Sequence, residues 1–150
     1  MLKAGDKAPD FSVMNDKSEK ISLKDLKGKK VVLYFYPKDD TSGCTAEACD
    51  FRDNIKQFEK NNTVVLGISK DSVKSHVKFK EKFELPFPLL SDESLKMIKD
   101  YDVWKEKSMY GKKYMGVERT TFIIDEKGVI KEIYEKVKVP DHVKDILSKI

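Results

Sequence analysis

Six consecutive apolar residues, Val31-Val32-Leu33-Tyr34-Phe35-Tyr36, constrain this chain more than any other feature. The run is rich in β-branched and aromatic residues and shows no polar alternation, so it reads as a strand buried on both faces. Such strands belong to sheets with helices above and below them. Gly28-Lys29-Lys30 leads into the run and Pro37 ends it. A polar turn follows, then Cys44-Thr45-Ala46-Glu47-Ala48-Cys49, which holds the only two cysteines of the chain. A sulfur therefore stands at the carboxyl end of a central strand and the start of a helix, the general position of sites in such sheets.

The remaining pattern extends this α/β reading. Phe11 to Met14 and Ile21 to Leu23 read as two short strands around a polar turn. Ala48, Phe51, Ile55 and Phe58 recur at helical spacing, which predicts one amphipathic helix to about Lys60. Thr63 to Ile68 is the next strand, and a second helix runs from Ser72 to Phe83. Pro86 and Pro88 bracket a loop and an extended piece to Leu90, and a third helix covers Ser94 to Tyr101. The polar stretch from Val103 to Gly116 is expected to be an irregular surface loop. Thr120 to Asp125 and Val129 to Tyr134 flank Glu126-Lys127-Gly128 as a hairpin. Pro140 is expected to open a last helix. This order implies a central mixed sheet flanked by helices on both faces.

A chain of 150 residues suits one domain, spanning 1–150, with one sizeable core. No stretch approaches the roughly 20 apolar residues that cross a membrane. Met1-Leu2-Lys3-Ala4-Gly5-Asp6 lacks the features of a secretion signal, so a cytoplasmic protein is expected. Two cysteines are too few for a secreted disulfide framework. The net charge of +4 comes from 30 basic against 26 acidic residues, nearly all the basic ones lysines interleaved with acids. A nucleic-acid binder concentrates its positive charge, so that role is the least supported. Only Arg52 and Arg119 are arginines, which gives weight to where each sits.

The cysteine spacing argues for chemistry. Unpaired N–H groups and the helix dipole at the first turn favour a thiolate over a thiol, and the thiolate is the nucleophile. Thr41 or Ser42 is placed to cap that turn. Five helical positions separate Cys44 from Cys49 by about 7.5 Å along the axis and about 140° around it, so their Cα atoms lie roughly 8 Å or more apart. A disulfide needs Cα atoms within about 7 Å. A bond between them therefore requires the helix start to unwind, which favours a redox cycle over a static link. Three other readings stay open on spacing alone. The cysteines are small apolar fillers, or a dithiol of the thioredoxin type with unusual spacing, or zinc ligands. Zinc lacks partners, because only His76 and His142 are present and neither stands at ligand spacing from the pair. No cofactor is called for.

Tyr34-Phe35-Tyr36-Pro37-Lys38-Asp39-Asp40-Thr41-Ser42-Gly43-Cys44-Thr45-Ala46-Glu47-Ala48-Cys49 resembles the active-site segment of peroxiredoxins, most of all the bacterioferritin comigratory protein, or peroxiredoxin Q, branch. The likeness continues through Tyr110 to Phe122 and takes in Gly5-Asp6-Lys7-Ala8-Pro9-Asp10-Phe11. It implies a thioredoxin-like fold with an N-terminal β-hairpin. It makes Cys44 the peroxidatic cysteine, with Pro37, Thr41 and Arg119 completing the peroxide pocket. Cys49 matches the resolving cysteine, and Glu47 a position that orients the arginine. Ser42 departs from the proline of many relatives, which loosens the first turn and removes no reacting group. The chain lacks the glycine-rich insertion and added C-terminal helix of overoxidation-sensitive members, and so is expected to resist overoxidation.

The resemblance implies reduction of a hydroperoxide by Cys44, a 44–49 disulfide, and recycling by thioredoxin, with glutaredoxin in its place as an alternative. Monomers and some dimers occur in this branch, and the want of an obvious exposed apolar stripe favours a monomer. Arg52 is expected to be a solvated helix residue, and Trp104 a core or loop anchor. The rival functions are a protein thiol–disulfide oxidoreductase and a redox sensor or chaperone. The first is weakened because no proline precedes the Thr120 strand.

Overall fold

The computed structural model describes residues 1–150. Its strands are β1 (Ser12–Asn15), β2 (Lys20–Ser22), β3 (Lys30–Phe35), β4 (Thr63–Ser69), β5 (Leu89–Ser91), β6 (Trp104–Met109), β7 (Lys112–Val117), β8 (Thr120–Ile124) and β9 (Ile130–Tyr134). Its helices are α1 (Ser42–Asp53), α2 (Ile55–Lys60), α3 (Val73–Phe83), α4 (Lys96–Asp100) and α5 (His142–Leu147). Seven strands form one mixed sheet in the order β2-β1-β5-β4-β3-β8-β9. The apolar run forms β3 at its centre, parallel to β4 and antiparallel to β8. No helix is long and apolar enough to cross a membrane.

The period of two along β3 divides the core. Val31, Leu33 and Phe35 face α4 and the N-terminal segment, where Met97, Ile98, Phe11 and Leu23 cover them. Val32, Tyr34 and Tyr36 face the opposite layer, built from Ala48 and Phe51 of α1, Phe58 of α2, Phe79 of α3 and Val143 and Ile146 of α5. The Tyr34 and Phe51 rings stack at 4.5 Å between centroids, which seats α1 on the sheet. Such a pair contributes about 0.5–1.5 kcal/mol beyond the area it buries. Cys44 belongs to this second layer.

The structure corrects four sequence expectations. Residues 103–116 are not an irregular loop: β6 and β7 form a separate two-stranded ribbon paired from Trp104↔Val117 to Met109↔Lys112. Its alternation is concealed because both faces are largely polar, and the positive φ of Tyr110 and Gly111 marks the turn. The ribbon exposes Met109, Tyr110, Tyr114 and Met115, an apolar group that the sequence reading overlooked. The helix expected to reach Lys60 breaks at Asn54, whose side-chain amide donates to the Asp50 carbonyl instead of letting the backbone continue. Pro140 lies outside the last helix, which Asp141 precedes in a left-handed conformation.

Candidate active site

Strand register brings the site together. Thr120 pairs with Phe35, so Arg119 emerges beside Tyr36 at the carboxyl end of β3. The loop Pro37–Thr41 leaves that same end and turns into α1, whose third residue is Cys44. Cys44 is only 1% exposed. Arg119 Nη2 donates to its Sγ at 3.4 Å, while Nη1 donates to Glu47 Oε1 at 2.8 Å. One guanidinium thus spans two side chains on the inner face of α1, a task its planar fork suits and a lysine's single ammonium does not. A Cβ at position 43 would lie 3.2 Å from Nη2, so Gly43 lets the guanidinium lie close against the helix start.

Glu47 is fully buried, and its Oε2 has no hydrogen-bond partner. Burial pushes its carboxyl up to about 7 even though the Arg119 charge pulls it down. For Arg119, burial works against the charge, but Glu47 and the Cys44 sulfur outweigh it and hold the guanidinium above its ordinary value. The ribbon contributes Lys107, whose ammonium burial and then Arg119 hold below the usual lysine range. Cys49 is half-buried, and both cysteines are free. Their different burial follows from the 140° divergence around the helix axis.

Thr41 stands at the N-cap of α1 but does not cap it with its side chain; its hydroxyl donates to the Lys38 carbonyl at 2.9 Å. That leaves the hydroxyl oxygen free to accept from another group. Pro37 is half-buried where the loop leaves β3. Arg52 is not simply solvated: Nη1 donates to the Phe83 carbonyl at 2.8 Å and Nε to Asp53 at 2.9 Å, tying α1 to the end of α3. Trp104 is partly buried against the first core layer, as expected.

Sequence reasoning missed the network under the loop. Asp39 is 7% exposed. Its Oδ1 accepts from Tyr36 at 2.6 Å, and its Oδ2 accepts from Ser75 at 2.8 Å and lies 2.7 Å from His76 Nδ1. The available signal was His76 itself, a titratable residue on the Val73–Phe79–Phe83 stripe of α3.

A buried sulfur at a helix start, bonded by an arginine at the carboxyl end of a central strand, is an arrangement suited to a cysteine-dependent peroxidase. The AhpC/TSA family model matches residues 4–133. A putative peroxiredoxin Bcp of Coxiella burnetii is 56% identical over 149 residues, covering 99% of this chain and 99% of that one. Peroxiredoxin Bcp of Bacillus subtilis is 51% identical over 147 residues, covering 98% and 94%. Among solved structures, a cysteine-to-serine variant of Xylella fastidiosa PrxQ superposes with a TM-score of 0.94 at 40% identity, covering 99% and 95% of the two chains. The bacterioferritin comigratory protein of Xanthomonas campestris, characterised for alkyl peroxide reduction activity, gives a TM-score of 0.89 at 39% identity over 93% and 88%. The chain belongs to the peroxiredoxins of the AhpC/TSA family, in their Bcp/peroxiredoxin Q branch, and has their thioredoxin-like fold. It is accordingly an enzyme with thiol-peroxidase chemistry.

Proposed function

We propose that residues 1–150 form a single peroxiredoxin domain that reduces hydrogen peroxide and organic hydroperoxides through Cys44, resolves the oxidised sulfur with Cys49, and is recycled by thioredoxin or glutaredoxin. The observation that supports this most is the Arg119 fork shared between the Cys44 sulfur and Glu47. The activity of the Xanthomonas relative supports extending the substrates to alkyl hydroperoxides. The setting is the reducing cytoplasm.

The Cys44 thiolate attacks the terminal oxygen of the hydroperoxide in line with the O–O bond. A sulfur–oxygen bond forms and the O–O bond breaks. The products are a sulfenic acid and an alkoxide or hydroxide, which leaves as alcohol or water on taking a proton. Thr41 Oγ1, with its own hydrogen given to Lys38, accepts from the substrate O–H. Pro37 shapes the wall of the pocket. Arg119 and the unpaired N–H groups at the start of α1 stabilise charge growing on the leaving oxygen. The Cys49 thiol gives up its proton and its sulfur attacks the sulfenic sulfur; the S–S bond forms, the S–O bond breaks, and the hydroxide takes up that proton and leaves as water. This step unwinds the first turns of α1. A dithiol partner supplies two electrons by exchange and restores both thiols.

Mass spectrometry of the intact reduced protein tests the sequence. One equivalent of peroxide should leave the wild type lighter by two hydrogens. The Cys49→Ser variant should instead gain one oxygen atom and fail to recycle with thioredoxin. Cys44→Ser should show neither change. A wild type that accumulates the oxygen adduct would contradict resolution by Cys49.

A further inference from the structure

Asp39 and His76 form a buried hydrogen-bonded pair that the proposed reaction does not use. His76 is fully buried on α3, and both of its ring nitrogens face oxygens that accept hydrogen bonds. Nε2 lies 2.9 Å from the carbonyl oxygen of Leu90 on β5, which has no hydrogen to give, so Nε2 carries a proton. Nδ1 lies 2.7 Å from Asp39 Oδ2, which already accepts from Ser75. A proton on Nδ1 as well makes the ring an imidazolium and Asp39 a carboxylate with three donors. The Asp39 amide in turn donates to Asp71 Oδ2 at 2.9 Å, and Asp71 accepts from Ser69 at 2.6 Å. Asp39 stands midway between Pro37 and Thr41, so this network fixes both residues through one short stretch of backbone.

We propose that His76, held as a buried imidazolium, is a positioning residue for the peroxide-reducing step, fixing the Pro37–Thr41 loop through Asp39. The inference rests on the reaction proposed above for that loop. The charged groups facing His76 are Asp39 from the loop and Asp71 from the turn after β4, with Tyr36 of β3 beside the ring. Burial pushes the imidazole down, but the Asp39 hydrogen bond and charge outweigh it, and the ring is held above its ordinary 6.5. Its contribution is therefore complete below 6.5 and is lost as pH rises through the higher folded-state value. Once Nδ1 loses its proton, its lone pair faces the Asp39 carboxylate and the loop loosens.

Two measurements test this. In nitrogen NMR of the ring in reduced wild type, both His76 nitrogens should carry protons up to about pH 6.5, where a free imidazole is already half neutral. A ring that is neutral there overturns the proposal. Stopped-flow kinetics of His76→Gln, Asp39→Asn and the double variant provide the second arm. Each single variant should lower the second-order rate constant with peroxide by about 10- to 100-fold, the effect of displacing a reacting geometry by about 1 Å. The double variant should lose no more than the worse single one, because the two residues act as a unit. An alkaline limb of the wild-type rate profile should vanish in His76→Gln. Variants that melt earlier but keep the rate constant and its pH profile would reduce the pair to a structural role and overturn the proposal. If a variant does not fold, the wild-type NMR and the wild-type alkaline limb still decide. A wild type that consumes no peroxide would defeat the proposed function, while the protonation of His76 would be read independently of it.

Discussion

Glu47→Gln removes one proton-binding site from beneath Arg119 while keeping the side chain's size and its acceptor oxygen toward Nη1. The wild-type carboxyl is buried and titrates near 7 instead of 4.5. Below about pH 4.5 both folded and unfolded chains hold the proton, and the group makes no difference to stability. As pH rises toward 7 the unfolded chain releases that proton and the folded one keeps it. Stability falls across this window and levels off above it. The displacement from 4.5 to about 7 corresponds to about 3 kcal/mol. Urea denaturation of the reduced proteins at both ends of the window measures it. The variant should gain about 3 kcal/mol on wild type between pH 4.5 and pH 8.5, whatever constant offset the amide introduces. His142, pushed down to about 4 by burial, also titrates here but with opposite sign, favouring the fold as pH rises. It is present in both proteins and cancels in the difference. A pH-independent difference between variant and wild type would refute a carboxyl held neutral by burial against Arg119.

Two further substitutions probe the same layer. Arg119→Lys keeps a positive charge but cannot bond the Cys44 sulfur and Glu47 together, and should lower the peroxide rate constant by about 100-fold in stopped-flow fluorescence of Trp104. A lysine variant within about threefold of wild type would mean that charge alone suffices. Gly67→Ala places a Cβ 2.8 Å from Tyr34 Cζ and 3.0 Å from Leu89 Cδ2. The Tyr34 ring is stacked on Phe51 and has no room to retreat, so the urea midpoint should fall by an amount equivalent to about 1–3 kcal/mol. An unchanged midpoint would show that the ring moves freely.

What the sequence revealed follows from the kind of signal each part carries. β3, β4 and α3 were legible because burial on one or both faces leaves a hydrophobic period in the residues themselves. Cys44, Cys49, Thr41, Arg119 and Pro37 are proposed as site residues through a resemblance, and the structure brings Arg119 to Cys44 across 75 positions. The β6–β7 ribbon was not legible because it stands outside the main sheet and buries little, so Lys105, Lys107, Lys112 and Lys113 swamp its alternation. The break at Asn54 depends on which carbonyl its amide selects, and the apolar positions on either side continue in phase across it. The Asp39–His76 pair is a long-range contact between two polar residues, and no local pattern announces such a meeting. Arg52 was misread for a similar reason, since its acceptor is a backbone carbonyl 31 positions away.

Both ends of the helix that carries the sulfurs are held by the same neighbour, which bears on where it opens. Ahead of α1, His76 and Ser75 of α3 hold Asp39, and Lys82 holds Asp40 at 2.8 Å. At its far end, Arg52 is bonded to the last carbonyl of α3, and Phe51 is stacked on Tyr34. Between these points the inward side chains are Cys44, Glu47 and Ala48. Opening the first two turns sacrifices a few backbone bonds, each a net contribution of about 1 kcal/mol, together with the Arg119 bonds to Cys44 and Glu47. It also releases Glu47, whose burial already opposes its charge. Unwinding past Phe51 would strip a large aromatic ring from the core as well as the Arg52 tether. The steep rise in cost lies between Ala48 and Phe51, and Cys49 sits on the inexpensive side of it. On the proposed cycle the resolving sulfur is thus freed before Phe51 has to leave the core.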